Sequence, residues 1–553
     1  MTYPKIPLAQ SLIEICALKG INNIIISPGS RNAPLTLGFV GRSEFNCFSI
    51  VDERSAAFFA LGKAQQLREP VALVCTSGSA LLNYYPAVAE AFYSEIPLLI
   101  ISADRPLSKI DIGDGQTIRQ QHVFANHILF SANLSEEVSV ENDFLINKAI
   151  TISKSQKGPV HINVPFEEPL YQMTSTPSVS VTNIEIGIEK KTNQIENFDE
   201  LAAIWNQTSK KLVLVGTCFP ETIDESNTTF LANESSVVVM NETLSNWNHE
   251  KFITSIDTLI TPFNEADFEA FQPELLVTFG GMLVSKRVKA MLRTYTPKNH
   301  WHIDTLRFYD TFGCLTASII AEPNDFFAKI KEQSVPLKST YNSLAQKIKQ
   351  YRNRKHQEYL QKMPFCDFKA FELIIPSLPK NIHLQFSNSS AIRYAQLIPI
   401  DFSIHVFCNR GTSGIDGSTS TAIGAATISK RPTVFITGDI GFFYDCNALW
   451  NAYIPKNFKI IIINNGGGGI FRILPGHKDT PVFNTFFETA HSRTAEYFAK
   501  MYGFTYLKAS DAATLQQSLL SFYNQNDLPA ILEVFTPMLE NDAVLKEYFN
   551  FVG

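Results

Sequence analysis

The sequence has little charge, no cysteine pattern and no long hydrophobic run. Charged residues make up only 18% of the 553 residues, against roughly 25% in ordinary soluble domains. Hydrophobic residues make up 45%, a balance that excludes intrinsic disorder as the overall state. The net charge of −6 provides no attraction to nucleic acid or to anionic lipid. We therefore expect no nucleic-acid partner and no binding to a charged membrane surface.

The eight cysteines are scattered, and none belongs to a C-x-x-C pair or lies near a histidine cluster. This excludes a zinc site and a disulfide framework and is typical of a reducing cytosol. Apolar runs such as residues 460–463 are far shorter than the roughly 18 residues that span a bilayer. Lys5, Glu14 and Lys19 interrupt the first residues of the chain, unlike a signal peptide. We expect a cytoplasmic protein without membrane insertion.

Short runs of valine, isoleucine and leucine alternate with helix-length amphipathic stretches, which predicts a parallel α/β fold. Three such blocks predict domains at residues 1–180, 195–345 and 365–553. A basic run at residues 347–355 interleaves with Glu, Gln and Leu, so it indicates a solvated connecting helix and not a nucleic-acid site. Ligand sites in open α/β sheets lie at the carboxyl ends of strands, so the polar strand ends are where chemistry is expected.

Two polar strand ends in the third block have the chemistry of a cation site. Gly438-Asp439 ends one buried-strand pattern and Asn464-Asn465 ends the next. Mg²⁺ prefers about six oxygen ligands and is often shared with substrate phosphates. A carboxylate, an amide oxygen and a backbone carbonyl just beyond would supply three of them, and the glycines at 466–469 let the backbone approach a ligand. Each half alone indicates a turn, but the two together favour a cation and diphosphate site.

This spacing resembles the cation and diphosphate motif of thiamine-diphosphate enzymes, and other stretches resemble one family among them. These stretches are Ser27-Pro28-Gly29-Ser30-Arg31, Asp52-Glu53-Arg54, Thr76-Ser77-Gly78-Ser79, Asp104-Arg105-Pro106, Gln116-Thr117-Ile118, Asn409-Arg410-Gly411, Ser413-Gly414-Ile415-Asp416-Gly417 and Ile470-Phe471. The family is the 2-succinyl-5-enolpyruvyl-6-hydroxy-3-cyclohexene-1-carboxylate synthases of menaquinone biosynthesis. The resemblance is clear in the first and third blocks and thin in the middle one. It implies three doubly wound parallel-sheet domains: pyrimidine-binding, central and diphosphate-binding.

The resemblance also implies an activity. The chain would be a transferase that joins 2-oxoglutarate to isochorismate with release of carbon dioxide. Its cofactors would be thiamine diphosphate and Mg²⁺ or Mn²⁺, and its sites would lie between the subunits of a homodimer or tetramer. Another thiamine-diphosphate 2-oxo-acid decarboxylase or an acetolactate-type synthase stays open as the alternative, as does a non-catalytic scaffold that kept the fold.

The matched positions imply roles for individual residues. Glu53 would contact the aminopyrimidine and promote deprotonation of the thiazolium, although a Glu that begins a helix is also stabilised by the helix dipole. Ile415 would support the bend of the cofactor. The other cofactor-binding positions are Ser413, Gly414, Asp439, Ile440, Asn465, Gly467 and Ile470, of which Asp439, Asn465 and the carbonyl of Gly467 would bind the cation.

Both implied substrates are dicarboxylates, so the pocket needs fixed cations. The candidate substrate-binding residues are Arg31, Arg105, Lys286, Arg393 and Arg410, with Ser30, Gln116 and Ser389 as neutral partners. Gln116, Ile470 and Phe471 would join Glu53 around the reacting carbon. Gly466 stands where the family commonly has Asn, and Gly441 where it commonly has Ser.

Overall fold

The computed structural model describes residues 2–187, 195–473 and 480–553. The described residues form three large sheets, each from a continuous part of the chain, and one small two-stranded sheet. Every described strand pair in the large sheets is parallel. The predicted α/β class with three doubly wound parallel sheets is therefore confirmed. None of the described helices has both the length and the hydropathy needed to cross a bilayer.

The N-terminal sheet has the strand order β3-β2-β4-β5-β7-β6, and β1 pairs antiparallel with β8. The strands are β1 (Tyr3–Pro4), β2 (Asn23–Ile26), β3 (Asn46–Ser49), β4 (Val71–Cys75), β5 (Leu98–Asp104), β6 (Phe130–Asn133), β7 (Val160–Pro165) and β8 (Met173–Thr174). The helices are α1 (Pro7–Leu18), α2 (Ala33–Val40), α3 (Glu53–Leu67), α4 (Tyr85–Ser94) and α5 (Val140–Gln156). The central strands are buried along their whole length, as parallel strands covered by helices on both faces must be.

The central sheet has the order β10-β9-β11-β12-β13. Its strands are β9 (Lys211–Val215), β10 (Val237–Asn241), β11 (Leu275–Phe279), β12 (Asn299–Asp304) and β13 (Ala317–Ile320). Its helices are α6 (Phe198–Gln207), α7 (Glu225–Asn233), α8 (Ile256–Ile260), α9 (Glu265–Phe271), α10 (Lys286–Thr294) and α11 (Pro323–Gln333).

The connecting helix α12 (Tyr341–Leu360) is present as predicted, but it is not solvated throughout. Arg352 is 8% exposed, and its Nη1 donates to the backbone carbonyl of Gly553 at 2.6 Å. His356 is also buried, and its Nδ1 lies 2.8 Å from the hydroxyl of Tyr548. The expectation of a solvated helix was wrong on this face, because the last helix of the chain packs against it.

The C-terminal sheet has the order β15-β14-β16-β17-β19-β18. Its strands are β14 (His383–Phe386), β15 (His405–Cys408), β16 (Thr433–Gly438), β17 (Lys459–Asn464), β18 (Thr505–Ala509) and β19 (Ala530–Phe535). Its helices are α13 (Asp367–Ser377), α14 (Ser390–Ala395), α15 (Ser418–Ala426), α16 (Asp439–Tyr444), α17 (Ile470–Ile473), α18 (Pro481–Phe486), α19 (Glu496–Tyr502), α20 (Ala512–Phe522) and α21 (Asn541–Val552). Counted in chain order, the N- and C-terminal sheets share the strand order 2-1-3-4-6-5. Each predicted domain contains one large sheet, and the boundaries between the domains stay a proposal.

Helices α3 and α15 join the N- and C-terminal parts in one hydrophobic core. A Cβ atom on Gly62 would lie 2.0 Å from the carbonyl oxygen of Thr421, and one on Gly424 would lie 2.0 Å from that of Phe59. Only glycine permits so close an approach of the two backbones. Phe59 and Ile423 belong to the same buried cluster. This helix contact fixes α3, which begins at Glu53, relative to the loop that precedes α15.

Candidate active site

A cavity of about 310 Å³ lies at the carboxyl edge of the C-terminal sheet. It lies beside β14 and β16, where the strand order reverses, the usual position of a ligand in a doubly wound sheet. Its walls include eight of the residues predicted from the sequence: Ser389, Ile415, Asp439, Ile440, Asn465, Gly467, Ile470 and Phe471. All described lining residues lie within positions 367–471, so the N-terminal part of the same chain contributes none of them.

The carboxylate of Asp439 holds the glycine loop after β17. Its Oδ2 accepts the backbone N–H groups of Gly466 and Gly467 at 2.9 and 3.0 Å, and its Oδ1 accepts that of Ile440 at 2.7 Å. Gly466 has φ +78°, a left-handed conformation that Gly and Asn adopt more readily than other residues. The family's common Asn and this chain's Gly therefore suit the same turn. The Nε2 atom of His491 lies 3.3 Å from Asp439 Oδ2.

The carboxamide of Asn465 lies beside this loop with one atom unpartnered. Its Nδ2 donates to Oδ2 of Asp367 at 2.8 Å, whereas its Oδ1 is buried with no hydrogen-bond partner among the described residues. Asp367, at the start of α13, is fully buried, and burial raises its pKa to about 6 although hydrogen bonds from Thr536 and Asn465 lower it.

These groups fit a hard divalent cation bound with a diphosphate. They offer a carboxylate, a free amide oxygen and the backbone carbonyls of a glycine loop. No group of three or more His, Cys, Asp or Glu residues suited to a metal occurs in the described ranges.

The loop after β15 forms another wall of the cavity. Asn388 fastens it by donating from Nδ2 to the carbonyl of Gly414 at 2.7 Å, and Ile415 follows directly and lines the cavity. Ser389 and Ser413 have φ of +70° and +60°, uncommon for residues with a Cβ atom. Backbone of this kind collects at ligand sites, where the surrounding structure holds it.

Two arginines lie close to the cavity without lining it, and of these Arg410 is buried and Arg393 partly exposed. Arg410 donates from Nη1 to Oδ1 of Asn388 at 2.7 Å. Burial and the nearby charge of Arg410 lower the pKa of Arg393, while Asp257 and Glu242 from the central part oppose that shift. The Nε atoms of both arginines are buried and have no hydrogen-bond partner among the described residues. Two adjacent cations with unused donors favour an anionic ligand.

Lys286 is the predicted site residue that the structure supports least. It is the first residue of α10 and is exposed. Burial lowers the pKa of Lys289, one turn further on, and the charges of Arg410 and Arg393 add to that shift while Glu242 opposes it. Lys289 was not among the residues predicted from the sequence, although it lies three residues after Lys286 on the same helix.

A second group of predicted residues lies at the carboxyl edge of the N-terminal sheet. Burial and the charge of Arg105 lower the pKa of Arg31, whose Nη1 donates to a backbone carbonyl after β7 at 2.9 Å. Gln116 has φ +58° and donates from Nε2 to the carbonyl of Ser77 at 3.2 Å. Ser30 accepts a hydrogen bond from a tyrosine hydroxyl at 3.3 Å.

Glu53 belongs to this second group as the first residue of α3. Asp52 caps the helix by accepting the N–H groups of Arg54 and Ser55 at 2.9 and 3.2 Å, so Glu53 is not needed as the cap. Burial raises the pKa of the Glu53 carboxyl, the charge of Asp52 adds to the shift, and a backbone hydrogen bond opposes it. A protonatable carboxyl with a raised pKa is suited to acid–base chemistry.

Sequence reasoning also missed Glu90. This residue of the N-terminal part accepts hydrogen bonds from the loop after β15. Glu90 lies on α4 and is 1% exposed. It accepts the N–H groups of Gly411 and Thr412 at 2.7 and 2.6 Å and the hydroxyl of Thr412 at 2.8 Å. This loop continues to Ser413, so a helix of the N-terminal part orders one wall of the cavity.

Two sheets of identical winding, one with a cavity beside Asp439 and Asn465 where its strand order reverses, are the architecture of a thiamine-diphosphate-dependent enzyme. The family model for the thiamine pyrophosphate enzyme N-terminal TPP binding domain matches residues 6–130. The model for the C-terminal TPP binding domain of these enzymes matches residues 389–534. The predicted class and its cofactor, thiamine diphosphate, are confirmed.

Full-length relatives narrow the class to one family. A 2-succinyl-5-enolpyruvyl-6-hydroxy-3-cyclohexene-1-carboxylate synthase of Flavobacterium johnsoniae is 63% identical over 553 residues, and that of Flavobacterium psychrophilum is 62% identical over 550 residues, each covering 100% of both chains. The Porphyromonas gingivalis synthase is 37% identical over 562 residues, covering 98% of this chain and 96% of its own. The chain belongs to the 2-succinyl-5-enolpyruvyl-6-hydroxy-3-cyclohexene-1-carboxylate synthase family, as its motifs predicted.

Proposed function

We propose that the chain transfers the succinyl semialdehyde unit of 2-oxoglutarate to isochorismate. The reaction releases carbon dioxide and forms 2-succinyl-5-enolpyruvyl-6-hydroxy-3-cyclohexene-1-carboxylate in menaquinone biosynthesis. Thiamine diphosphate, bound with Mg²⁺ or Mn²⁺, supplies the carbon nucleophile on which such a decarboxylating transfer depends. Family membership and the cavity that Asp439, Asn465 and Gly467 line support this proposal.

The chain's own residues would supply the cofactor binding and the acid–base group that the reaction needs. Asp439, Asn465 and the Gly467 carbonyl would hold the cation, and Ile415 would provide apolar support for the cofactor. Glu53 would place its carboxyl, whose pKa is raised by burial, against the aminopyrimidine. Ile470 and Phe471 line the cavity and would form an apolar wall beside the reacting atoms.

The observation that carries the choice of substrates is a pair of neighbouring arginines whose Nε donors are buried and unused. Arg393 and Arg410 each keep a buried Nε with no partner among the described residues. A guanidinium can bind a carboxylate through two parallel hydrogen bonds. Two such groups suit a dicarboxylic acid, whereas pyruvate, with one carboxylate, would leave one of them uncompensated.

The first experiment compares substrates and tests Glu53. With thiamine diphosphate and Mg²⁺, the purified protein should consume isochorismate with 2-oxoglutarate and not with pyruvate. Glu53→Gln should lower kcat by about a thousandfold or more, on the order of a lost acid–base group, with thiamine-diphosphate affinity little changed. Glu141→Gln is the matched control, because Glu141 is an exposed first-turn glutamate of α5. Equal use of pyruvate, or unchanged turnover in Glu53→Gln, would contradict the proposal.

We also propose that a second copy of the chain completes the site. The cavity receives no described residue from the N-terminal part of its own chain, so Glu53 and the Arg31–Arg105 pair would come from the partner. The C-terminal part also exposes large apolar side chains that an interface would cover: Tyr444, Trp450, Phe486, Tyr497 and Met501, each 52–75% exposed.

Complementation between two inactive variants tests this arrangement. Glu53→Gln and Asp439→Ala should each be inactive alone. Co-expressed, they should form mixed dimers with one intact site, which at random pairing gives about a quarter of wild-type activity. A site built within one chain would give no recovery, and a single-chain mass in light scattering would also refute the proposal.

We propose that the enzyme works in the cytoplasm. All eight cysteines are free and are buried or only partly exposed, which is typical of a reducing compartment. Fractionation of native cells with detection of the chain tests this.

A further inference from the structure

A buried carboxylate outside the candidate set contacts the cation site. Asp367, the first residue of α13, is 2% exposed and lines the cavity. Its two oxygens have different partners: Oδ2 accepts from Nδ2 of Asn465 at 2.8 Å, and Oδ1 accepts from the hydroxyl of Thr536 at 2.5 Å. Its backbone N–H donates to Oδ1 of Asn541 at 2.8 Å, which fixes the residue's position.

The hydrogen bond between Asp367 and Asn465 determines which way the Asn465 carboxamide faces. A carboxamide has a donor end and an acceptor end of nearly the same shape, so its neighbours decide its orientation. An ionised carboxylate can only accept, so Asp367 requires the NH₂ end of Asn465 on its side. The carbonyl end is then turned away, and Oδ1 of Asn465 is the buried atom without a partner among the described residues.

The free oxygen has a use only if a cation is bound. Cations are bound through amide oxygens and never through the NH₂ group, so a rotated Asn465 would present two hydrogens to the metal. Asp439 and the glycine loop lie on the same side of the cavity, because Asp439 accepts the N–H groups of the two residues that follow Asn465. The orientation of one carboxamide therefore decides whether the ligand set is complete.

We infer that Asp367 is a positioning residue that turns the amide oxygen of Asn465 toward the cation. This inference rests on the cation site of the proposed function and assigns to Asp367 no contact with substrate or metal. Groups that orient metal ligands in this way commonly contribute 10- to 100-fold in affinity.

Mn²⁺ binding to the full-length protein tests the inference without relying on activity. The protein, freed of metal and saturated with thiamine diphosphate, is titrated with Mn²⁺, and the free ion is followed by electron paramagnetic resonance. Asp367→Leu, close in size but with no acceptor, should weaken Mn²⁺ binding by about 10- to 100-fold. Thr536→Val is the matched control, because it removes the other hydrogen bond to the same carboxylate and leaves Asn465 in place.

A conservative variant separates orientation from charge. In Asp367→Asn, the carbonyl end can still accept from Asn465 while its NH₂ donates to the Thr536 hydroxyl, which can act as an acceptor. Affinity should therefore stay within about threefold of wild type, because the orientation of Asn465 is preserved. An equal loss in Asp367→Asn and Asp367→Leu would assign the effect to charge and overturn the inference.

The remaining outcomes also test the role of Asp367. Wild-type affinity in Asp367→Leu, or an equal loss in Thr536→Val, would refute a role for Asp367 in orienting Asn465. Should the leucine variant fail to fold, Asp367→Ala is compared instead, both in the wild-type protein and in Asn465→Ala. Orientation through Asn465 predicts that Asp367→Ala causes no further loss of affinity once Asn465 is alanine. Failure of the wild-type protein to bind Mn²⁺ would refute the proposed cation site itself, a result distinct from all of these.

Discussion

The glycine contact between α3 and α15 predicts a large effect from adding one methyl group. In Gly62→Ala the new Cβ would lie 2.0 Å from the carbonyl oxygen of Thr421 and 2.9 Å from the backbone nitrogen of Ala425. Ordinary contact begins near 3.4 Å, so the two helices must separate by about 1.4 Å. The opposing atoms are backbone, so no side-chain rotation can relieve the overlap.

The magnitude follows from two opposing effects. Replacing Gly by Ala inside a helix gains about 1 kcal/mol in helix propensity. Overpacking a well-filled core costs about 1–3 kcal/mol and occasionally more, and a backbone clash belongs at the upper end of that range. We expect a net loss of about 2 kcal/mol, which corresponds to a fall in Tm of about 4 °C or more at the 2–4 °C per kcal/mol of domains this size.

Calorimetry of the purified variants checks this prediction. Gly38→Ala is the matched control, because Gly38 also lies inside a helix, but its Cβ would meet side chains and no backbone: Cδ1 of Ile13 at 2.2 Å and the ring of Pro4 at 3.2 Å. The control should shift Tm by much less. A Tm for Gly62→Ala equal to or above that of the wild type would refute the reasoning. It would mean that the gain in helix propensity outweighs the cost of the clash between α3 and α15.

Three further predictions concern the site and its surroundings. Arg393→Ala should raise the KM for a substrate by about 10- to 100-fold, the loss expected for a charged hydrogen bond; unchanged KM values for both acids in steady-state kinetics would contradict it. Glu90→Gln keeps only one acceptor oxygen for the Gly411–Thr412 loop, so thiamine-diphosphate affinity should fall by about tenfold; calorimetric titration showing wild-type affinity would contradict this. Burial raises the pKa of Asp445 to about 7 although hydrogen bonds from Ser420 and the charge of Arg54 lower it, against about 4 in the unfolded chain. The folded state therefore binds the extra proton, and this contribution to stability is lost as pH rises through 7. Asp445→Asn should melt above the wild type at pH 8 and close to it at pH 4; a constant difference across that range would exclude titration of Asp445 as the cause.

The fold and half of the candidate site were predictable because they depend on local patterns. Strands β16 and β17 are continuous apolar runs, and polar residues follow both, so Asp439 and Asn465 could be placed at one sheet edge from spacing alone. The family stretches are also local in sequence. Their positions at strand ends follow from the parallel winding and needed no knowledge of tertiary contacts.

The rest depends on contacts between distant parts of the chain. Asp367 begins a helix, where an aspartate is ordinary, and only its hydrogen bond to Asn465 distinguishes it. Glu90 looks like any helical glutamate until the loop after β15 packs against it. The left-handed backbone at Ser389 and Gln116 contradicts local preference, because the surrounding structure overrides it.

The contact between α3 and α15 has a consequence for any attempt to divide the chain into fragments. The first and last thirds of the chain share one hydrophobic core. Cleaving the backbone between β8 and α6 would therefore leave the two pieces associated through their buried side chains. A fragment ending near β8 would instead expose Phe58 and Phe59, which are 2% and 1% exposed in the intact chain, and would tend to aggregate. The stretch holding β9 to β13 thus lies, along the chain, between two parts that share one core, and trimming either end would open that core.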